Sequence, residues 1–183
     1  TSSLVGSEMC IRDRSTAGLI VPFPAGGGAD VLARSIADAF GRELGLTFWT
    51  ANHPGAGGTL GAQYLSRQHP DGGYVGYVTN GILCVNPLLY PKTPFDPMAS
   101  LEPVGRISEI GLVAVLNPHA IEGVNSLETL LTFGRKNPGK LTFASSGIGT
   151  TSHLAGMLFS LRTGIEMLHI PYRGGTAEMM DDL

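Results

Sequence analysis

A chain of 183 residues with 43% hydrophobic content can bury a substantial core, and at about 100–200 residues per domain its length allows one domain or one and a half. Only 15% of the residues are charged, the formal net charge is −3 and no basic cluster occurs, so the electrostatic footprint of a nucleic-acid-binding surface is missing. Cys10 and Cys84 lack CxxC or Cys/His spacing, which excludes a disulfide scaffold and a thiolate metal centre, and no apolar run approaches the roughly 20 residues that span a bilayer.

The N-terminal stretch stands apart. Met9-Cys10-Ile11-Arg12-Asp13-Arg14 reads as one frame of a transposon-end sequencing adapter, so residues 1–14 are expected to be an artefact or disordered, standing in place of any natural signal peptide. Residues 18–23 are a short apolar run ending in Pro and Gly, which predicts a buried strand. The turn Pro22-Phe23-Pro24-Ala25-Gly26-Gly27-Gly28-Ala29-Asp30 follows. Beyond it Ala33, Ile36, Ala37, Phe40 and Leu44 recur at helical spacing, with Asp30 as the expected N-cap and Gly45 as the terminator. A strand over 46–50, a second glycine turn over 52–59, a helix over 60–67, a turn over 69–73 and a strand over 74–78 opening into Thr79-Asn80-Gly81 complete the first half.

Prolines cluster over 87–103, placing a boundary between residues 15–102 and 103–183. The second half is expected to hold strands at 104–107 and 111–116, a helix over 126–136, a strand at 141–144, the turn Ser145-Ser146-Gly147-Ile148-Gly149-Thr150-Thr151, a helix to Leu161 and a strand at 167–170. A last helical pattern begins at Thr176 and is cut short, so the chain is expected to be an N-terminal fragment. Alternation of strand and helix predicts an α/β fold, a parallel sheet with helices on its faces and a ligand where loops leave the carboxyl ends of strands.

The glycine turns carry the chemistry. Amides at a helix N-terminus have no intrahelical acceptor and a partial positive charge, so a glycine loop that exposes them binds a carboxylate or phosphate without basic side chains. The bland alternative for 25–28 is a tight turn that needs positive φ. Asp30, Thr150 and Thr151 each read as helix caps or as ligand contacts, His153 as a structural histidine, Asn80 as a turn residue that reaches the same sheet edge, and Tyr172 as packing or a cleft wall. Catalytic motifs fail on spacing. Gly134 to Lys140 spells GxxxxGK, but Leu141 replaces the magnesium-binding hydroxyl and the order is helix then strand. Phe143 spoils a GxSxG elbow at Ser145, Leu60 stands where a dinucleotide fingerprint has its third glycine, and no HExxH or other metal-ligand spacing occurs.

Taken together, Val21 to Asp30, Asn52-His53-Pro54-Gly55-Ala56-Gly57-Gly58, Pro70-Asp71-Gly72, Asn137-Pro138-Gly139-Lys140-Leu141 and Pro171-Tyr172-Arg173-Gly174 strongly resemble one family, in order and over roughly residues 18–183. The chain is similar to the Bug (TctC-like) periplasmic solute-binding receptors of tripartite tricarboxylate transporters. The resemblance implies a type II periplasmic binding fold, two lobes with mixed sheets flanked by helices, closing on a small carboxylate. It implies ligand contacts at Phe23, Ala25, Gly26, Gly27, Gly28, Asp30 and Asn80 from one lobe, and at Ser146, Gly147, Gly149, Thr150, Thr151 and Tyr172 from the other. It also implies no catalytic residue, no cofactor and no metal; a monomer; integral membrane transporter subunits as partners; and a periplasmic setting. His53 where the family has Arg, Gly73 where an aromatic is common, and Phe48-Trp49-Thr50 in place of an aliphatic strand depart from the pattern. The rival readings are an α/β enzyme that uses the same loops as a phosphate or oxyanion site, and a sensor lobe signalling to a membrane kinase.

Overall fold

The computed structural model describes residues 14–93, 95–117, 119–172 and 175–183; the expected adapter over residues 9–13 and the Arg173-Gly174 of the last motif lie outside them. The chain divides into two compact units, Thr1–Glu102 and Pro103–Leu183.

The first unit is built on β1 (Thr16–Val21), followed by α1 (Gly28–Leu44), β2 (Thr47–Asn52), a 3-10 turn (Ala56–Gly58), α2 (Thr59–Ser66) and β3 (Tyr74–Gly76). A wide turn (Gly81–Val85) and two single-turn helices, α3 (Asn86–Leu89) and α4 (Pro97–Ser100), complete it. The sheet order is β2-β1-β3, with both pairings parallel. Strand order therefore reverses between β1 and β3, the kind of switch point at which open α/β sheets bind ligands outside the carboxyl ends of their strands.

Leu19, Val21, Ala33, Ala37 and Tyr77 form the core, with Phe23, Leu32, Phe48 and Val75 against it. Alanines at two successive turns of α1 let that helix lie close on β1. Gly45 in the left-handed conformation (φ 66°) ends the helix, its N–H donating to the carbonyl of Gly41. On β1, Gly18 is small because Trp49 covers it, an added Cβ falling 2.6 Å from that ring, and Trp49 meets Tyr74 edge-on at 5.7 Å. The departing residue His53 stacks on Tyr64 at 4.0 Å.

The second unit holds α5 (Leu127–Lys136), β4 (Leu141–Ser145), α6 (Thr151–Thr163), β5 (Met167–Pro171) and α7 (Thr176–Asp181). β4 and β5 pair in parallel across α6. Ser126 and Thr129 form a reciprocal capping box for α5, and Gly134 lets that helix approach the sheet, an added Cβ lying 2.7 Å from Ile165.

Three expectations are corrected. Residues 101–117 contain neither of the strands expected at 104–107 and 111–116. A strand needs a ladder partner, and Val104 and Val113 stand 83% and 84% exposed. Both sheets pair only in parallel among the described residues, as the alternation of strand and helix predicts and not mixed as the resemblance implied, because each connection between paired strands carries a helix. Asp30 is not the N-cap of α1. Gly27, in extended conformation (φ −76°, ψ 164°), takes that place without a side-chain bond, and Asp30 sits at the third helical position.

Candidate functional site

The first glycine turn leaves the carboxyl end of β1 and opens α1. Gly26 adopts φ 82°, which favours glycine, and an added Cβ at Gly26 or Gly28 would meet nothing within 4 Å. The outer face of the turn is thus open, with Ala25, Gly26 and Gly28 exposed. The first intrahelical bond runs from Val31 N–H to Gly27 O at 3.0 Å, so the amides of Gly27, Gly28, Ala29 and Asp30 head the helix without an intrahelical acceptor.

Asp30 organises the turn from behind. Only 4% exposed, it accepts the Gly26 N–H at 2.9 Å and Arg34 Nε at 3.0 Å on Oδ2, and Asn52 Nδ2 at 2.8 Å on Oδ1. Asn52 Nδ2 also donates to the Phe23 carbonyl at 3.0 Å, and Arg34 Nη2 donates to Asn52 Oδ1 at 3.1 Å. The Arg34 hydrogen bond, helped by those from Asn52 and Gly26, outweighs burial and holds the Asp30 carboxyl down to about 2. Phe23 packs edge-on against Tyr77 at 6.4 Å. Asn80, beyond β3 on the same sheet edge, accepts the Gly81 N–H at 3.0 Å.

The second turn leaves β4 and opens α6, with Gly147 (φ 124°) and Gly149 (φ 84°) in conformations that favour glycine. Thr150 is the N-cap; its hydroxyl donates to Gly147 O at 2.6 Å and accepts the His153 N–H at 3.5 Å. Several of the loop's amides are already engaged by side chains: Ser146 N–H with Ser152 Oγ at 3.2 Å, Gly147 N–H with Ser145 Oγ at 3.1 Å and Gly149 N–H with His153 Nδ1 at 3.4 Å. Thr151 is the first residue of α6. Tyr172 donates its N–H to Ser145 O at 2.9 Å, and its phenol is bonded to Asp182, which raises the phenol above its ordinary value.

Beneath this turn lies a contact that motif reading passes over. Ser145 Oγ is 2.7 Å from His169 Nε2, and the His169 ring lies 4.4 Å from His153 and 4.8 Å from Phe143. Burial and the neighbouring His153 lower the His169 imidazole below its ordinary value. The pair has the reach of a nucleophile and its base, but Ser145 has no accessible surface and its oxygen also accepts the Gly147 N–H. It is a staple for the loop. Among the described residues no group of three or more His, Cys, Asp or Glu is placed to hold a metal. GxxxxGK falls across α5 and the turn before β4, with Gly134 inside the helix, so it forms no phosphate loop.

The sequence reading gave no structural or site role to Asn52, Arg34, His169 or Ser152, and weighed Ser145 only as a nucleophile. Arg34 carried a signal, being four residues beyond Asp30 on one helix face. Asn52 becomes visible only once the register sets it opposite Val21.

The family model described as tripartite tricarboxylate transporter family receptor, TctC, matches residues 32–183. BugT of Bordetella pertussis is 34% identical over 165 residues, which cover 89% of this chain and 50% of that protein. Among solved structures, a periplasmic transporter superposes with a TM-score of 0.84 at 34% identity, covering 91% of this chain and 55% of its own. An R. palustris protein with adipate also superposes at 0.84, with 33% identity, 92% of this chain and 55% of its own covered. The chain thus spans about half the length of the relatives it matches. The chain belongs to this binding-protein family, the TctC (Bug) receptors of tripartite tricarboxylate transporters, whose solved relatives include a periplasmic transporter and the periplasmic binding protein BugD.

Proposed function

We propose that this chain supplies the carboxylate-capturing portion of an extracytoplasmic receptor, which closes two lobes on a small organic acid and presents it to integral membrane transporter subunits. The observation that carries this reading is a strand, a glycine turn and a helix N-terminus in succession in both units, at residues 16–44 of the first and 141–163 of the second. In the first turn, Asp30 occupies the Gly26 amide from behind, which leaves Gly27, Gly28 and Ala29 to face a ligand oxygen. In the second, the contacts at 3.2 and 3.4 Å from Ser152 and His153 are long, neutral hydrogen bonds. A ligand carboxylate, a charged and stronger acceptor, displaces them. On this reading Phe23, Ala25, Asn80, Thr150, Thr151 and Tyr172 wall the ligand, whereas Asp30 shapes the turn that holds it.

Adipate in a structural relative supports a small dicarboxylate as the ligand class. Capture through amides leaves the remainder of the acid to the walls of the site, so selectivity among acids rests on Phe23, Asn80 and Tyr172. A thermal-shift screen of organic acids against the full-length receptor, with turnover followed in parallel, tests the proposal. Stabilisation by mono- or dicarboxylates without turnover is expected. Turnover of any of them, or stabilisation only by phosphate esters, would overturn it in favour of an enzyme or phosphate site.

A further inference from the structure

The glycine turn between β2 and α2 holds a run of four consecutive residues with positive φ. Gly55, Ala56, Gly57 and Gly58 have φ of 131°, 49°, 62° and 94°, and Ala56 is the one non-glycine with positive φ among the described residues. Such a run needs outside support. Asn86 provides it: 2% exposed, its Nδ2 donates to Gly57 O at 3.1 Å, Ala56 O at 3.4 Å and Thr59 Oγ1 at 2.8 Å.

Two carbonyls on one side fix the orientation of the amide, since neither accepts from an amide oxygen. The other end, Oδ1, is buried without a hydrogen-bond partner, the one such side-chain atom among the described residues. Leaving a buried acceptor unpaired is destabilising, because the atom gives up its hydrogen bond to water and gains none in return. Asn86 lines a cavity of about 10 Å³, together with Thr59, Ile82, Tyr90, Thr93 and Phe95. One water needs roughly 10–15 Å³ for its centre and two to four polar partners. The cavity has that size, and it is bordered by polar groups.

We propose that this cavity is a hydration site holding a single internal water. The water donates to Asn86 Oδ1 and accepts from the Thr59 hydroxyl, whose oxygen already receives the Asn86 amide and whose proton remains to be given. Thr93 and Tyr90 supply the remaining polar borders. The water completes Asn86 as a clamp, and the clamp holds the strained turn to the start of α2. This inference concerns the first unit alone and does not depend on the receptor reading.

A crystal structure of the full-length protein, at a resolution that shows ordered waters, tests it. A single peak within hydrogen-bonding distance of Asn86 Oδ1 and Thr59 Oγ1 is expected. An empty cavity, or direct engagement of Oδ1 by the Tyr90 hydroxyl, would overturn the proposal. As a second arm, Thr93→Ile fills the cavity with carbon. If water is displaced from a real partner, the denaturation midpoint falls, and oxygen-17 relaxation dispersion counts one fewer long-lived water than in the parent. A higher midpoint with an unchanged water count would show a dry cavity that gains from filling.

Discussion

The Asp30 carboxylate accepts the N–H of Gly26, four residues earlier, at 2.9 Å, so the turn that exposes the helix amides is itself folded around a fixed anion. That anion is neutralised from outside by Arg34 and anchored to the neighbouring strand through Asn52. The first turn therefore has an inner face shaped by a carboxylate of the chain and an outer face on which Ala25, Gly26 and Gly28 are exposed.

Replacing Asp30 by Ala frees the Gly26 amide and strands the Asn52 amide at once. We expect stability at neutral pH to fall by up to about 2 kcal/mol, the equivalent of moving the carboxyl from 3.8 to about 2. Urea denaturation measures this. Asp30→Asn recovers only part, because an amide presents one acceptor where the carboxylate presents two.

Acid acts on the same network. The folded carboxyl is lowered, so its contribution is fully present above 3.8 and is lost as the pH falls from 3.8 toward 2. The parent should lose stability over that window, and Asp30→Ala should show a flatter acid limb. Equal acid limbs in the two proteins would contradict the assignment.

The second unit responds at milder pH. His169 is held neutral below its ordinary value of 6.5, so the unfolded chain takes up a proton there that the folded imidazole resists. The stability of this unit is full above 6.5 and declines as the pH falls below it. Midpoints compared at neutral and mildly acidic pH should converge in His169→Phe, which cannot titrate.

Ser145 should behave as a staple and not as a nucleophile. Ser145→Ala removes the acceptor of the Gly147 amide and the partner of His169, at an expected cost of about 1–3 kcal/mol. A phosphonate reagent that labels activated serines should leave Ser145 unmodified in the folded protein; labelling would contradict its burial.

Much of this was legible in the sequence. The apolar run before Pro22, the helical spacing of Ala33 and Ala37, and Gly45 at the end of α1 each follow from local rules that the structure obeys. The failures share a cause. Strands at 104–107 and 111–116 were read from apolar runs, but a strand is defined by its neighbour, and none is paired there. Asp30 was read as a cap because it precedes the periodic residues. Glycine preceding it begins the helix earlier, and the carboxylate reaches back in the manner of an acid at the third helical position. Asn52 and His169 depended on register across parallel strands, which no local pattern specifies.

The central claim is that backbone amides at the two turns hold the ligand carboxylate. Titrating adipate into the isotopically labelled full-length receptor and following amide resonances tests it most directly. The account predicts that the N–H signals of Gly27, Gly28, Ile148 and Gly149 move with saturation, and that Gly28→Val, where an added side chain meets open space in the fold, weakens binding while leaving the denaturation midpoint nearly unchanged. Saturable binding that leaves those amides unmoved, with affinity unaltered by Gly28→Val, would contradict it.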